Sequence, residues 1–218
     1  MTSETSVSDR SPCPLDAAAA LKHLRARDDI LAGVIQQIGA FRLDLKPLRK
    51  PFQTLFSAIV AQQISNRAAE TILKRVQSLF PGRRGLRPDE ILAVPDVQLR
   101  LAGLSFPKIA AVKDLADKAL NGFLPDAATF VTLSDEQVRE RLTGIRGIGG
   151  WTADMFLIFH LGRPDVLPLS DHALKRGVAK AYGLTDLPGS DGLLQMSEPW
   201  RPFRSVACWY LWQFLDRP

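Results

Sequence analysis

Only two cysteines, Cys13 and Cys208, occur in the 218 residues. Two thiols cannot build a four-cysteine zinc or iron–sulfur site, and their scarcity fits a reducing, intracellular compartment. No apolar run reaches the ~18 residues that a membrane-spanning helix needs, so no membrane partner is expected. The N-terminus shows no apolar signal core. Strand-like alternation of apolar and polar residues is missing, and so is any fixed-period repeat. What remains is helical periodicity. The chain reads as all-α, with about nine or ten helices.

Lysine and arginine number 28 against 23 aspartates and glutamates, a net charge of +5 with a pI near 9.5. That excess permits nucleic-acid binding without establishing it. The length supports a sizeable core in one domain or two small ones. Residues 1–14 are Ser/Thr-rich with two prolines and read as a disordered tail. Helical spacing runs from Asp16 to about Gly39, and a linker with Lys46, Arg49 and Lys50 follows. Pro51 opens a helix to about Gln62 with Leu55, Phe56, Ile59 and Val60 as its buried stripe. Ser65 is a plausible N-cap for the next helix, Asn66 to Phe80, so Gln62-Gln63-Ile64-Ser65 is a helix junction. Two adjacent glutamines there are unusual for a core. A basic loop with Arg83, Arg84 and Arg87 precedes short helices near 88–93 and 96–102, then a helix from Ile109 to Asn121. Beyond a helix at 171–182, the chain to Ser197 reads as a Gly- and Pro-bearing loop, and a last helix starts near Pro202.

The richest stretch is Ser134 to Asp171. Ser134 and Gln137 have capping-box spacing, which starts a helix. Thr143-Gly144-Ile145-Arg146-Gly147-Ile148-Gly149-Gly150 is a glycine turn, and a second helix runs from there to Leu161, stopped by Gly162 and Pro164. This is a helix–hairpin–helix. Its glycines leave backbone N–H groups uncovered at a helix N-terminus, a ready anion site. In a basic protein the expected anion is a DNA phosphate; a plain αα-hairpin with a glycine turn is the blander alternative.

Ile145-Arg146-Gly147-Ile148-Gly149-Gly150-Trp151-Thr152-Ala153 resembles the hairpin of the helix–hairpin–helix DNA glycosylases, with Arg146 in the usual place of proline. A Gly/Pro-bearing loop and an aspartate, Gly162 to Asp171, follow as in that family. The resemblance covers roughly Pro51 to Trp212. Trp200-Arg201-Pro202-Phe203-Arg204-Ser205 and Tyr210-Leu211-Trp212 look like its alkyladenine (3-methyladenine) glycosylase II branch. The fold implied has two helical lobes, 51–165 and 16–48 plus 170–218, with a central groove for a flipped nucleotide. The extra N-terminal β domain of some members is not expected here.

The resemblance also implies roles. Asp171 matches the catalytic aspartate; taken alone it would be read as a helix N-cap. Asp165 and Asp154 are weaker rivals. Trp151, Met155, His172 and Trp212 would line the base pocket, with Trp209 in the core, and Met155 stands where a relative has an aromatic. Gln63 matches the plug that fills the gap left by a flipped base. The N–H groups of Gly147 and Gly149 and the Thr152 hydroxyl would hold phosphates. The carbonyls of Thr143, Ile145 and Ile148 could hold a sodium or potassium ion. No cofactor is required. Two residues after Gly149, where strand-cutting members carry a Schiff-base lysine, this chain has Trp151.

The expectation is a monofunctional, monomeric glycosylase acting on double-stranded DNA with alkylated bases. It would be intracellular, and cytoplasmic at the nucleoid if bacterial. The alternatives are a non-catalytic helix–hairpin–helix binding module, or a glycosylase for an oxidised or mismatched base.

Overall fold

A computed structural model describes residues 16–46, 48–82 and 85–217. The tail at 1–14, together with Cys13, Arg83 and Arg84, lies outside the described residues. Among those described there is no strand, and the all-α expectation holds. The helices are α1 (Ala17–Arg27), α2 (Asp29–Ile38), α3 (Pro51–Ala61), α4 (Asn66–Ser78), α5 (Pro88–Ala93), α6 (Asp96–Ala102) and α7 (Phe106–Leu120). They continue with α8 (Ala127–Thr132), α9 (Asp135–Thr143), α10 (Gly150–Phe159), α11 (His172–Tyr182), α12 (Ser190–Ser197) and α13 (Arg204–Leu215). A short 3-10 turn, Glu198–Trp200, joins the last two. Thirteen α-helices among the described residues exceed the nine or ten read from periodicity.

The surplus has local causes. The spacing from Asp16 to Gly39 is not one helix but two, because Asp28 is extended at φ −152, ψ 106. Its side chain accepts from Leu31 N–H, so one residue ends α1 and caps α2. Asp126 caps the short α8 by accepting from Thr129 N–H at 2.7 Å. The stretch before Ser197, read as loop, holds α12, whose Leu193 and Ser197 face inward one turn apart. The helix expected from Ile109 starts earlier, at Phe106, with Pro107 in its first turn.

The chain divides into two units. One is Leu45–Leu161. There α7 packs against α3 and α5, with Leu55, Ile59, Ile91, Val112 and Leu115 fully buried. Each such side chain contributes about 1.5–3 kcal/mol. Phe130 of α8 meets Phe156 of α10 with ring centroids 5.1 Å apart.

The other unit comprises the chain up to Asp44 together with Gly162 onward. Its core joins Leu24, Leu31 and Ile35 of the first two helices to Val178, Trp200 and Tyr210. Trp209 belongs to this core and meets Phe41 edge-on at 4.9 Å. Asp28 sits at its polar centre, accepting from the Tyr182 hydroxyl and, at 2.8 Å, from Trp200 Nε1. Burial, then the hydrogen bond and charge of Asp28, push the Tyr182 pKa strongly upward, so the hydroxyl stays a donor.

In the same unit α11 crosses α13 closely. Gly177 is the reason: a Cβ there would lie 2.5 Å from the Leu211 carbonyl oxygen and 3.0 Å from its carbon. Backbone cannot step aside as a flexible side chain can. Overpacking of this kind costs about 1–3 kcal/mol, against the ~1 kcal/mol that alanine gains over glycine inside a helix. Gly177→Ala should therefore lower the unfolding free energy by up to about 2 kcal/mol. Urea denaturation measures this; equal or greater stability would contradict it.

Candidate active site

The hairpin lies within Leu45–Leu161. Ser134 caps α9 with both halves of the capping box formed: its hydroxyl accepts from Gln137 N–H and its own N–H donates to Gln137 Oε1. At the other end Ile148 N–H donates to the Ile145 carbonyl at 3.1 Å. That closes a four-residue turn whose third residue, Gly147, has φ 80. A type II turn needs this sign at that position and favours proline just before it. The turn thus explains the glycine, and marks Arg146 as standing where a proline would be conformationally suited. Arginine retains an N–H that proline lacks, and that N–H donates to Asp114 Oδ2 at 2.7 Å. Asp114 also pairs with Lys118 at 2.7 Å. Burial acts to raise the Asp114 pKa, but the Lys118 hydrogen bond, the Arg146 N–H and their charges together lower it.

Gly147, Gly149 and Gly150 are exposed, and Gly149 is the N-cap of α10. Ile145 and Ile148 point their side chains into the core, while Thr143 is exposed at the end of α9. Of the three carbonyls considered for a cation, that of Ile145 accepts the turn hydrogen bond.

A cleft of about 580 Å³ lies between α3 and α10, within the ~300–1,000 Å³ usual for small-molecule sites. Gln63, Trp151, Thr152 and Met155 all line it. Trp151 is 45 % exposed, unlike the fully buried Trp200. Sequence reasoning gave no site role to Gln62, Asn66, Lys46 or His160, which also line this cleft. The His160 Nδ1–H donates to the Lys46 carbonyl at 3.0 Å. Burial lowers the His160 pKa; that hydrogen bond opposes the shift and the Lys46 charge adds to it. No local pattern marks Lys46 and His160, because the turn of chain carrying Lys46 meets α10 across more than a hundred residues of sequence.

Asp171 lies in the other unit. It is buried, N-caps α11 and accepts from Leu174 N–H through Oδ1. The same oxygen accepts from Trp212 Nε1 at 3.2 Å. Both of these are N–H groups, which orient the carboxylate oxygen they share. Asp171 is thus the N-cap that its place before the helix suggests. His172, next in the chain, is exposed at the first position of α11.

The rival carboxylates have other tasks. Asp165 receives Arg204 through Nε at 2.7 Å and through its terminal nitrogen at 3.0 Å, and Arg201 at 3.0 Å. This forked pairing ties the loop before α11 to the start of α13. Asp154 accepts from Arg139 Nε at 2.8 Å, joining the two hairpin helices. Burial raises the Asp154 pKa, with the Arg139 hydrogen bond and charge opposing.

Comparison with known proteins identifies the family. Residues 56–202 match the HhH-GPD superfamily of base excision DNA repair proteins, and the chain belongs to that superfamily. DNA-3-methyladenine glycosylase 1 of Schizosaccharomyces pombe is 34 % identical, over 88 % of this chain and 84 % of its own. A crystal structure of DNA-3-methyladenine glycosidase from Bacillus halodurans superposes with a TM-score of 0.81 at 37 % identity, covering 93 % of this chain and 91 % of that one. The S. pombe 3-methyladenine DNA glycosylase in complex with abasic DNA superposes with a TM-score of 0.79, covering 89 % and 95 %.

The Arg146 N–H bond to Asp114 predicts a thermodynamic coupling. Asp114→Ala and Arg146→Pro should each remove the same hydrogen bond. Their effects on unfolding free energy should then fall short of additivity by about 1 kcal/mol in a double-mutant cycle. Strict additivity in denaturant unfolding would show that the bond does not hold the turn.

Proposed function

We propose that this chain is a monofunctional DNA glycosylase that turns an alkylated base of the 3-methyladenine type out of duplex DNA and hydrolyses its N-glycosidic bond. An abasic site is the product. The observation that carries the reading is the fixed carboxylate: Asp171, oriented by Leu174 N–H and the Trp212 indole, at the start of a helix.

Breaking this bond builds positive charge on the deoxyribose, an oxocarbenium-like transition state. The Asp171 carboxylate stabilises that charge and orients or deprotonates the attacking water. A cationic alkylated purine leaves without a general acid, so one carboxylate suffices. Trp151 occupies the position where a lyase would need lysine, which supports hydrolysis without strand cleavage. Stacking on Trp151 and Trp212 favours a cationic base by cation–π attraction, worth roughly 0.5–2 kcal/mol. Met155, half-buried in the cleft one turn after Trp151, gives that wall a pliable side chain in place of a flat ring. His172 is left outside the chemistry.

The exposed N–H groups of Gly147 and Gly149 and the Thr152 hydroxyl bind phosphates beside the lesion, and Gln63 plugs the vacated stack. The Thr143, Ile145 and Ile148 carbonyls would hold a monovalent cation, whose charge would offset their repulsion of a nearby phosphate. No cofactor takes part, and the protein acts as a monomer.

The test is release of free methylated bases from dimethyl-sulfate-treated DNA. Asn is as good an N-cap as Asp, so Asp171→Asn should fold and bind DNA while its single-turnover rate falls by at least about 10²–10³-fold. Retained release would remove Asp171 from the catalytic role. Absence of release by the native protein, with DNA binding intact, would favour the binding-module alternative. In the same assay the pliable wall at Met155 predicts release of 7-methylguanine as well as 3-methyladenine. Strict 3-methyladenine specificity would contradict that part.

A further inference from the structure

The junction between α3 and α4 holds a residue against its own backbone preference. Gln63 has φ 56, and among the described residues it is the one non-glycine residue with positive φ. A residue with a Cβ is crowded in this left-handed region. Such a conformation persists only where its surroundings over-determine it.

Two side chains supply that constraint. Lys108, in the first turn of α7, donates from Nζ to the Val60 carbonyl at 2.6 Å and to the Gln62 carbonyl at 2.8 Å. It thereby gathers the last carbonyls of α3 and holds the peptide that leads into Gln63. Its ammonium sits at the carbonyl end of α3, where the helix dipole favours a cation, although burial lowers the Lys108 pKa. The two carbonyls offset this, so the contact is a specific one and not a solvated lysine resting on the surface. From the other side, Gln62 Nε2 donates to the Gly147 carbonyl at 2.9 Å. The residue before Gln63 is therefore fastened to the hairpin turn itself.

We propose that Lys108 and Gln62 are positioning residues for Gln63, locking its left-handed backbone and joining it to the hairpin so that plug and phosphate grip move as one piece. The inference rests on the reading of Gln63 as the plug. Its consequence is preorganisation: the side chain is already presented when the base leaves the stack, so no ordering cost falls at that moment.

The experiment uses an oligonucleotide methylated with dimethyl sulfate while single-stranded. It is then annealed either to its full complement or to one that leaves the lesions in an unpaired bubble. Single-turnover base release is measured for the native protein, Lys108→Met, Gln63→Ala and the double variant. Lys108→Met should slow release from paired DNA by about tenfold and change release from the bubble by less than about twofold, because an unpaired base needs no plug. Lys108→Arg should recover part of the rate. The double variant should be no slower than Gln63→Ala alone. Equal slowing on both substrates would mean a merely structural lysine and would overturn the proposal, as would full additivity with Gln63→Ala. If Gln63→Ala slows paired DNA and Lys108→Met does not, the positioning inference falls and the plug stands. If Gln63→Ala is as fast as native on paired DNA, both fall. Should Lys108→Met fail to fold, Gln62→Leu cuts the tether from the other side; it should slow release from paired DNA more than from the bubble, and equal slowing would overturn the proposal.

Discussion

Asp171 is held from two directions, and that hold depends on how closely two helices pass. The Leu174 N–H comes from its own helix, as in any N-cap. The indole N–H comes from Trp212 on α13, and it reaches Asp171 because Gly177 lets α11 rest against the backbone at Leu211. The residue beside Trp212 in sequence is thus the one that the glycine accommodates. The catalytic role proposed for this carboxylate requires it to stay within a fraction of an ångström of its working geometry. Here a missing side chain, more than any added contact, supplies that tolerance.

The hairpin shows a different way to stiffen a turn. Proline would fix φ at the second position and forgo an N–H. Arginine leaves φ softer but keeps the N–H, and Asp114 on α7 takes it. Rigidity that could be local to the turn is borrowed from the neighbouring helix. The turn is held at its second residue by Asp114 and at its third by Gln62, from two separate elements.

What could be read from the sequence was whatever chemistry is local. The Ser134–Gln137 capping box, the Gly147 turn, the paired glutamines and the aspartate after a Gly/Pro loop each act within a few residues, so their spacing is visible in the string. Asp28 was missed as a helix break because its neighbours keep helical spacing; its three acceptor contacts become apparent only when Tyr182 and Trp200 are brought to it. The α12 segment looked like loop because glycine and proline flank it, while tertiary burial of Leu193 outweighs that signal. Gly177, Asp114 and Lys108 look ordinary on their own helices. Their partners lie about thirty to fifty residues away, and no pattern of spacing encodes such pairs. Asp165 and Asp154 could be ranked below Asp171 from the motif, but the arginines that occupy them could not be named.

The contacts of Asp28 also bear on how the molecule is made. The unit they stabilise is discontinuous: its first helices lie before Leu45 and its remainder after Leu161. On the ribosome, α1 and α2 emerge before the later helices that bury their apolar faces are made. The continuous stretch from Leu45 to Leu161 has all its own helices in hand long before Tyr182 and Trp200 appear. Domains fold as units while the chain lengthens, so the hairpin-bearing unit matures first. The opening helices, with Leu24, Leu31 and Ile35, must wait for the tail of the same chain. Vectorial synthesis thus places the hairpin turn early in the protein's life and the fixing of Asp171 last.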